Sequence, residues 1–402
     1  SGPAVSGLLV DGLAMIDAYL GTPEEALRRL AARPPSDEPV TPFAHSVAVM
    51  AMLTQGRHRE VLDELDHELE RLDQPGMNLT AERYRFFRAM AASQAGTGVD
   101  GLSSEFRDLY EQALRVGDPW SLGWTAWGAG LHAARHGRAR AARRQLATAE
   151  RAFHRAGRAG FAMWPAAAAA QVAALAGVPA DLTDLLHPRH AVRADLADAH
   201  LAVAMQWRAA GRPAAEVAAR LREAARLAAD QGERVNALRV AHEQLLQGLD
   251  VDDPLAAGAA PDGVLAETWP AIIDADGAAE RAAQELVQAG WVVLGVRHLA
   301  RLAERARRDD PRRATRLLQQ VRDASVAFDQ PLAAWAVPSV ALPTLSTRER
   351  EIAAAVAGGE GRDELAARLH VSRRTVDSHL QRIYAKLGIS SRSELREWLA
   401  LH

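Results

Sequence analysis

From residue 5 to about residue 330, apolar residues recur three and four positions apart, and no run of alternating β-branched residues interrupts them. That spacing gathers apolar side chains on one face of a helix, so the pattern predicts an all-α region without a sheet. The helices come in pairs. A first, largely apolar helix ends at a glycine and a second helix rich in Arg and Glu follows, as in "AYLGTPEEALRRLA", "ARHGRARAARRQLATAERAF" and "RAAGRPAAEVAARLREAARLA". Glycine supplies the left-handed residue that closes a helix, and proline is tolerated in the first turn of the next. The breaks at Gly21, Gly56, Gly96, Gly137, Gly177 and Gly211 are spaced by 35, 40, 41, 40 and 34 residues, a period that predicts stacked helical hairpins. Segments such as "LDQPGMN", "VGDPWS" and "FDQPLAA" read as the turns between hairpins. Around residues 249–277 the register blurs, and an irregular or inserted repeat is expected there.

Pro331, Pro338 and Pro343 then fall within thirteen residues, and proline both forbids continued helix and stiffens the chain. The expected organisation is a helical-repeat region over residues 1–336, a linker over 337–343 and a C-terminal domain over 344–402. In that domain Ser346 and Glu349 form a capping box opening a helix to Ala357, and "GGEG" breaks it. A short helix from Arg362 to Leu369 follows. Ser372 then caps a third helix that runs to Leu387 and ends at Gly388, and Ser391 or Ser393 starts a fourth. On the third helix Val376, Leu380, Ile383 and Leu387 form an apolar stripe. Arg374, Ser378, Gln381 and Ala385 lie opposite, flanked by Asp377 and Arg382. Two short helices around a tight turn, the second with a slim polar face, make a helix-turn-helix.

The segments "LSTREREI" and "DELAARLHVSRRTVDSHLQRIYAKLGISSRSEL" resemble the LuxR-type DNA-binding domain. The matching positions include Thr347, Arg348, Glu349, Glu364, Ala366, Ser372, Thr375, Val376, His379, Lys386, Leu387 and Gly388. Joined to helical repeats that resemble the tetratricopeptide type in architecture, the segment is similar to the C-terminal part of the large ATP-binding LuxR regulators. The resemblance implies an all-α chain, a tetratricopeptide-like solenoid followed by a four-helix domain, that binds double-stranded promoter DNA as a homodimer and activates transcription with RNA polymerase. Arg373, Arg374, Thr375, Asp377, Ser378, Gln381 and Arg382 would face DNA, with Lys386 nearer the phosphates. Leu395, Trp398 and Leu399 of the last helix would pair the copies. Three departures from the family pattern bear on target and affinity rather than on fold. Asp377 stands where Lys is usual, Glu360 replaces an apolar residue, and Gly361 replaces a Ser-type cap. A solvent-facing Asp377, or one paired with Arg373 or Arg374, would not read DNA.

Composition narrows the rest. Hydrophobic residues make up 48% and charged residues 25% of the 402, which argues for a folded chain. Of the 48 basic residues 47 are Arg, a skew that reads as coding bias, so arginine abundance alone is no sign of nucleic-acid binding. Residues 344–402 hold ten basic and eight acidic residues, net +2, whereas Ser372 to Leu387 hold four basic and one acidic. Positive charge is therefore concentrated on one helix, which fits a weak single domain that needs a second copy. The chain has no cysteine, hence neither a disulfide framework nor a thiolate metal site, which points to a reducing compartment and, with the lack of a signal peptide, to the cytoplasm. The opening "SGPAVSGLLVDG" lacks an initiating Met and reads as a fragment. The uncharged stretch Phe161–Ala180 has the length of a membrane span, but its two prolines and weakly apolar alanines predict a buried solenoid helix.

Chemistry beyond DNA is thinly represented. His132 and His136 are four apart on a helix, and "HPRH" holds His187 and His190, but without Cys or a placed carboxylate they predict no metal site. Sequence patterns for hydrolases, metalloproteases and dinucleotide binding are lacking, and the sole lysine lies in the C-terminal segment, so no Gly-Lys phosphate loop exists. No enzyme and no cofactor are expected. The tryptophans outside the C-terminal domain fall mostly in first helices of hairpins. They predict core packing, with a groove for a small molecule or a protein partner as the alternative. The rival to a regulator is an interaction scaffold whose DNA-binding domain is vestigial.

Overall fold

All six glycines expected to break the repeat helices stand at positive φ, between 69° and 82°, a region open to glycine and strained for other residues. They belong to a computed structural model that describes every residue except 1–2, 33–41, 73–77, 181, 183–184, 187–193, 257–259, 275–276, 338–345, 388, 390 and 402. The side chains of residues 3–8, 42–43, 78–79, 347, 385–387 and 397–401 also lie outside the description, as does nearly all of the linker expected at 337–343. The described residues are helical, with no strand among them. They form two compact units, one of residues 1–295 with 327–336 and the other of residues 296–326 with 337–402.

The first unit begins with four hairpins: α1 (Pro3–Tyr19) and α2 (Pro23–Ala31), α3 (Pro42–Gln55) and α4 (His58–Leu72), α5 (Asn78–Ala95) and α6 (Val99–Val116), α7 (Pro119–Arg135) and α8 (Ala139–Arg155). A short 3₁₀ turn leads into α9 (Met163–Leu175), and α10 (Leu196–Ala209), α11 (Ala214–Asp230), α12 (Arg234–Leu246), α13 (Val264–Asp274) and α14 (Gly277–Gln288) continue the array. The pairing has a simple physical basis. In α8 the buried residues are Ala139, Ala142, Leu146, Ala149, Ala152 and Phe153, one stripe at helical spacing, and the remaining faces carry arginines in water. In α7 the buried set includes Leu122, Trp124, Thr125, Ala126, Ala129, His132 and Ala133, which covers several faces, so this helix is enclosed. The uncharged stretch read as a solenoid helix is α9, thirteen residues long and buried along most of its length. Among the described residues no helix is long and apolar enough to cross a membrane.

Aromatic rings fill the core where α7 to α9 meet. Trp124 lies 5.5 Å from Trp164 and 5.7 Å from Phe153, ring centre to ring centre, and Phe161 stands edge-on to Trp164 at 5.0 Å. Such tilted and edge-to-face pairs are the favoured arrangement of aromatic quadrupoles. Trp124 and Trp164 are buried, so both are core residues.

Later parts of the chain return to the breaks of the early hairpins. A Cβ at Gly56 would stand 2.3 Å from Pro261, and one at Gly137 would stand 2.0 Å from the Phe328 ring, so these two breaks require glycine for room as well as for φ. Beside each, an aspartate from far along the chain caps the following helix. Asp262 accepts from the backbone N–H groups of His58 and Arg59 at 2.9 and 3.0 Å, at the start of α4. Asp329 accepts from those of Arg140 and Ala141 at 3.0 and 3.2 Å, at the start of α8. The residues that precede α4 and α8 are Arg57 and Arg138, and a guanidinium has no acceptor to offer a helix N-terminus. Burial acts to raise the Asp262 carboxyl, but the bonds from the His58 ring and the two amides hold it below its ordinary value. Asp262 comes from the irregular stretch expected around residues 249–277, in which residues 249–263 precede α13 and residues 264–274 form it.

The interior also holds an acid pair, with Glu233 buried and Asp195 half-buried. Asp195 adopts φ 60°, and its N–H donates to Glu233 Oε1 at 2.6 Å. The Asn236 amide bridges the two carboxyls, at 2.6 Å to Asp195 and 3.1 Å to Glu233. Burial first, and neighbouring carboxylates second, raise both groups above the usual carboxylate range.

Two outcomes follow. Asp262→Ala and Asp329→Ala should each lower unfolding stability by about 1–2 kcal/mol in chemical denaturation, the scale of a lost N-cap. Because the Asp262 carboxyl is depressed, its contribution is present above the ordinary aspartate pKa and lost as pH falls through the folded value. Glu233 has the opposite sign. Its raised carboxyl stabilises the fold below the ordinary value of 4.5, and that contribution is lost as pH rises through the folded value. Glu233→Gln should therefore flatten the fall in melting midpoint between acidic and mildly alkaline pH.

Candidate nucleic-acid interface

The second unit begins within α15 (Val292–Asp309) and includes α16 (Pro311–Ala324), which lies beside α19. Its C-terminal helices are α17 (Thr347–Gly358), α18 (Arg362–Arg368), α19 (Arg373–Leu387) and α20 (Arg392–Leu401). The expected capping box opens α17. Ser346 Oγ accepts from the Glu349 N–H at 3.2 Å, and the Glu349 carboxylate accepts from the Ser346 N–H at 2.8 Å. At α18 Gly361 has no side chain to cap the first-turn amides, and only the reciprocal half of a capping box is formed, Glu364 accepting from the Gly361 N–H at 3.1 Å. The turn between α18 and α19 places His370 at φ 54°, and Arg348 donates to the Leu369 carbonyl at 3.1 Å, bracing that turn from α17. Ser372 Oγ then accepts from the Thr375 N–H at 3.1 Å and caps α19.

Beneath α19 Val376, Leu380 and Ile383 are buried among Ile352, Leu365 and Leu395. That burial fixes the rotation of the helix. Arg373, Arg374, Gln381 and Arg382 are exposed in consequence, and Thr375 and Ser378 are half-buried. Ser378 Oγ donates to the Arg374 carbonyl at 3.0 Å, one turn back. The side chain of Lys386 lies outside the described residues.

Asp377 forms an ion pair with Arg362 at 3.4 Å, not with the nearby Arg373 or Arg374. Arg373 in turn pairs with Asp363 at 3.3 Å. Adjacent residues of opposite sign on α18 thus meet residues of opposite sign on α19. Glu360, the second departure from the family pattern, accepts two bonds from Arg368 at 2.9 and 3.0 Å, and Arg368 also reaches Glu351 at 3.0 Å. Bonds from arginine hold the Glu360 and Glu351 carboxyls below their ordinary value. The sequence showed these charges, but their partners depend on the crossing of α17, α18 and α19. Arg362 was legible only as a charged position beside an acidic residue, and Arg348 as a position of the family motif whose contact with the turn was not.

Of the residues expected to pair two copies, Leu395 is fully buried in the domain's own core. The side chains of Trp398 and Leu399 lie outside the described residues. In the first unit His132 stacks on His136 at 4.2 Å and meets Ser103 Oγ at 2.9 Å, while His187 and His190 lie outside the described residues. Among the described residues no group of three or more His, Asp or Glu side chains is placed to hold a metal.

A family model described as bacterial regulatory proteins, luxR family, matches residues 343–399. This segment is a LuxR-family helix-turn-helix domain. Over it the chain is 48% identical across 52 residues to SgaR of Hyphomicrobium methylovorum and 47% identical across 51 residues to NarL of Mycobacterium tuberculosis, both named probable transcriptional regulatory proteins. It is 46% identical across 54 residues to the oxygen regulatory protein NreC of Staphylococcus aureus. Each match covers 13% of this chain, and the chain spans about a quarter of the length of these relatives, 24% of NarL and 25% of SgaR and NreC. No solved structure matches.

The LuxR-family domain of this chain therefore carries a carboxylate, already paired with Arg362, at the margin of its exposed polar face. Asp377→Lys should tighten binding to random duplex DNA and steepen the salt dependence by up to about one unit of slope, as one added phosphate contact does. Affinities for random and selected duplexes at several salt concentrations check this. An unaltered slope with unaltered base preference would show that this face does not meet DNA.

Proposed function

We propose that the chain is a transcription regulator, a pathway-specific activator, that binds promoter DNA as a dimer and senses a ligand or protein through its solenoid. The observation that carries the reading is the rotation of α19 in a LuxR-family domain. Its apolar stripe is buried, which leaves Arg373, Arg374, Gln381 and Arg382 exposed on one polar side. A helix so presented fits the major groove. In this reading Gln381 pairs with adenine, and the arginines read guanine or hold phosphate together with Thr375, Ser378 and Lys386. Asp377 accepts from cytosine N4 when it exchanges Arg362 for a base. With Leu395 buried in the core, pairing of copies falls to Trp398 and Leu399.

Selection of bound sequences from a random pool, followed by footprinting, tests the proposal. The expected product is a defined inverted repeat of two half-sites, bound cooperatively, with Trp398→Glu weakening the gel-shift isotherm. A pool that yields no sequence would favour the scaffold, and an unchanged Trp398→Glu isotherm would overturn dimerisation through α20.

A further inference from the structure

Arg135, the last residue of α7, sits among described groups none of which forms an ion pair with it. Its guanidinium lies over the Trp291 indole, 4.2 Å from ring centre, and one N–H donates to Ser93 Oγ at 2.8 Å. Among the described residues no carboxylate forms an ion pair with it. Asp198, whose field reaches Arg135, is already paired with Arg239, and Arg239 itself repels the Arg135 charge. The second donor of Arg239 is taken by Gln171 Oε1 at 2.7 Å. The neighbouring imidazoles add no compensation: burial pulls His136 down and His132 down to about 3, so both are neutral near pH 7.

A guanidinium offers five N–H donors in a rigid plane and stays charged in proteins. Here Ser93 and Trp291 are buried and fix that plane from one edge and one face, while Arg135 itself keeps partial access to solvent. Burial pulls the group down to about 9, the mark of a charge that lacks compensation in a poorly solvated place. An arginine held flat, with one donor bonded to Ser93 among the described residues and partial access to solvent, matches the two-oxygen edge of a carboxylate or phosphate.

We propose that Arg135, backed by Trp291 and Ser93, anchors a binding site in the solenoid for a small molecule bearing an oxyanion, a carboxylate or a phosphate group. The regulatory meaning of such a ligand rests on the sensing role proposed above, whereas the binding itself rests on this geometry alone.

The test uses the full chain without DNA, so its failure is separable from failure of DNA recognition. Melting midpoints are measured with inorganic phosphate and, separately, with succinate, against chloride at equal ionic strength. At least one anion should raise the midpoint saturably, by about 2 °C or more when present at ~100-fold its dissociation constant, and which one does so tells phosphate from carboxylate recognition. Arg135→Gln should abolish the response, and Arg107→Gln on the exposed side of α6 should keep it. In chloride alone Arg135→Gln should melt no lower than the parent, because it removes an uncompensated charge while retaining a donor for Ser93. A parent chain indifferent to both anions, a response that survives Arg135→Gln, or a marked fall of the Arg135→Gln midpoint in chloride would each overturn the site.

Discussion

The N-termini of two outer helices depend on carboxylates about two hundred residues away in sequence. A helix start leaves several amide donors without an intrahelical acceptor, and a buried or crowded start needs one supplied. In α4 and α8 the preceding residue is an arginine, so the acceptor comes from Asp262 and Asp329. The hairpin breaks make this approach sterically feasible. Pro261 and Phe328 stand where the Cβ of any residue other than glycine would be at Gly56 and Gly137. Glycine at those breaks thus serves both the local turn and the seating of a distant segment, and the irregular stretch before α13 gains a reason for its irregularity.

The LuxR-family domain works on a smaller scale by the same principle, with charge in place of caps. Arg362 with Asp377, and Asp363 with Arg373, join α18 to α19, while Arg368 gathers Glu360 and Glu351. These pairs are exposed and each contributes little to stability. Their effect is on orientation: they constrain the side chains at the start of α19 before any DNA arrives, and they lower the effective charge of a helix that by count is strongly basic.

How far sequence reaches is visible residue by residue. The breaks at Gly21 to Gly211, the enclosed α9, the capping box at Ser346 and the stripe Val376, Leu380, Ile383 were all legible, because each is set by neighbours within a turn or two. Leu395 shows the limit. An apolar residue on a short terminal helix fits a dimer contact or its own core equally well, and only the packing of α20 on α17 assigns it to the core. Asp262, Asp329, Asp195 with Glu233, and Arg135 over Trp291 were not legible at all. Their partners lie 38 to more than 150 residues away, and a solitary charge in a chain one quarter charged carries no mark of burial.

The distant caps also alter how such an array can be assembled. An open row of hairpins folds from any point and tolerates loss of its ends, since each repeat touches only its neighbours. Here the start of α4 is incomplete until residue 262 has been made, and the start of α8 until residue 329 has. Closing loops of that length costs chain entropy before any bond repays it, which slows folding and couples the two halves into one cooperative transition. On the ribosome the early hairpins would wait, with helix ends unsatisfied, for the later ones to emerge.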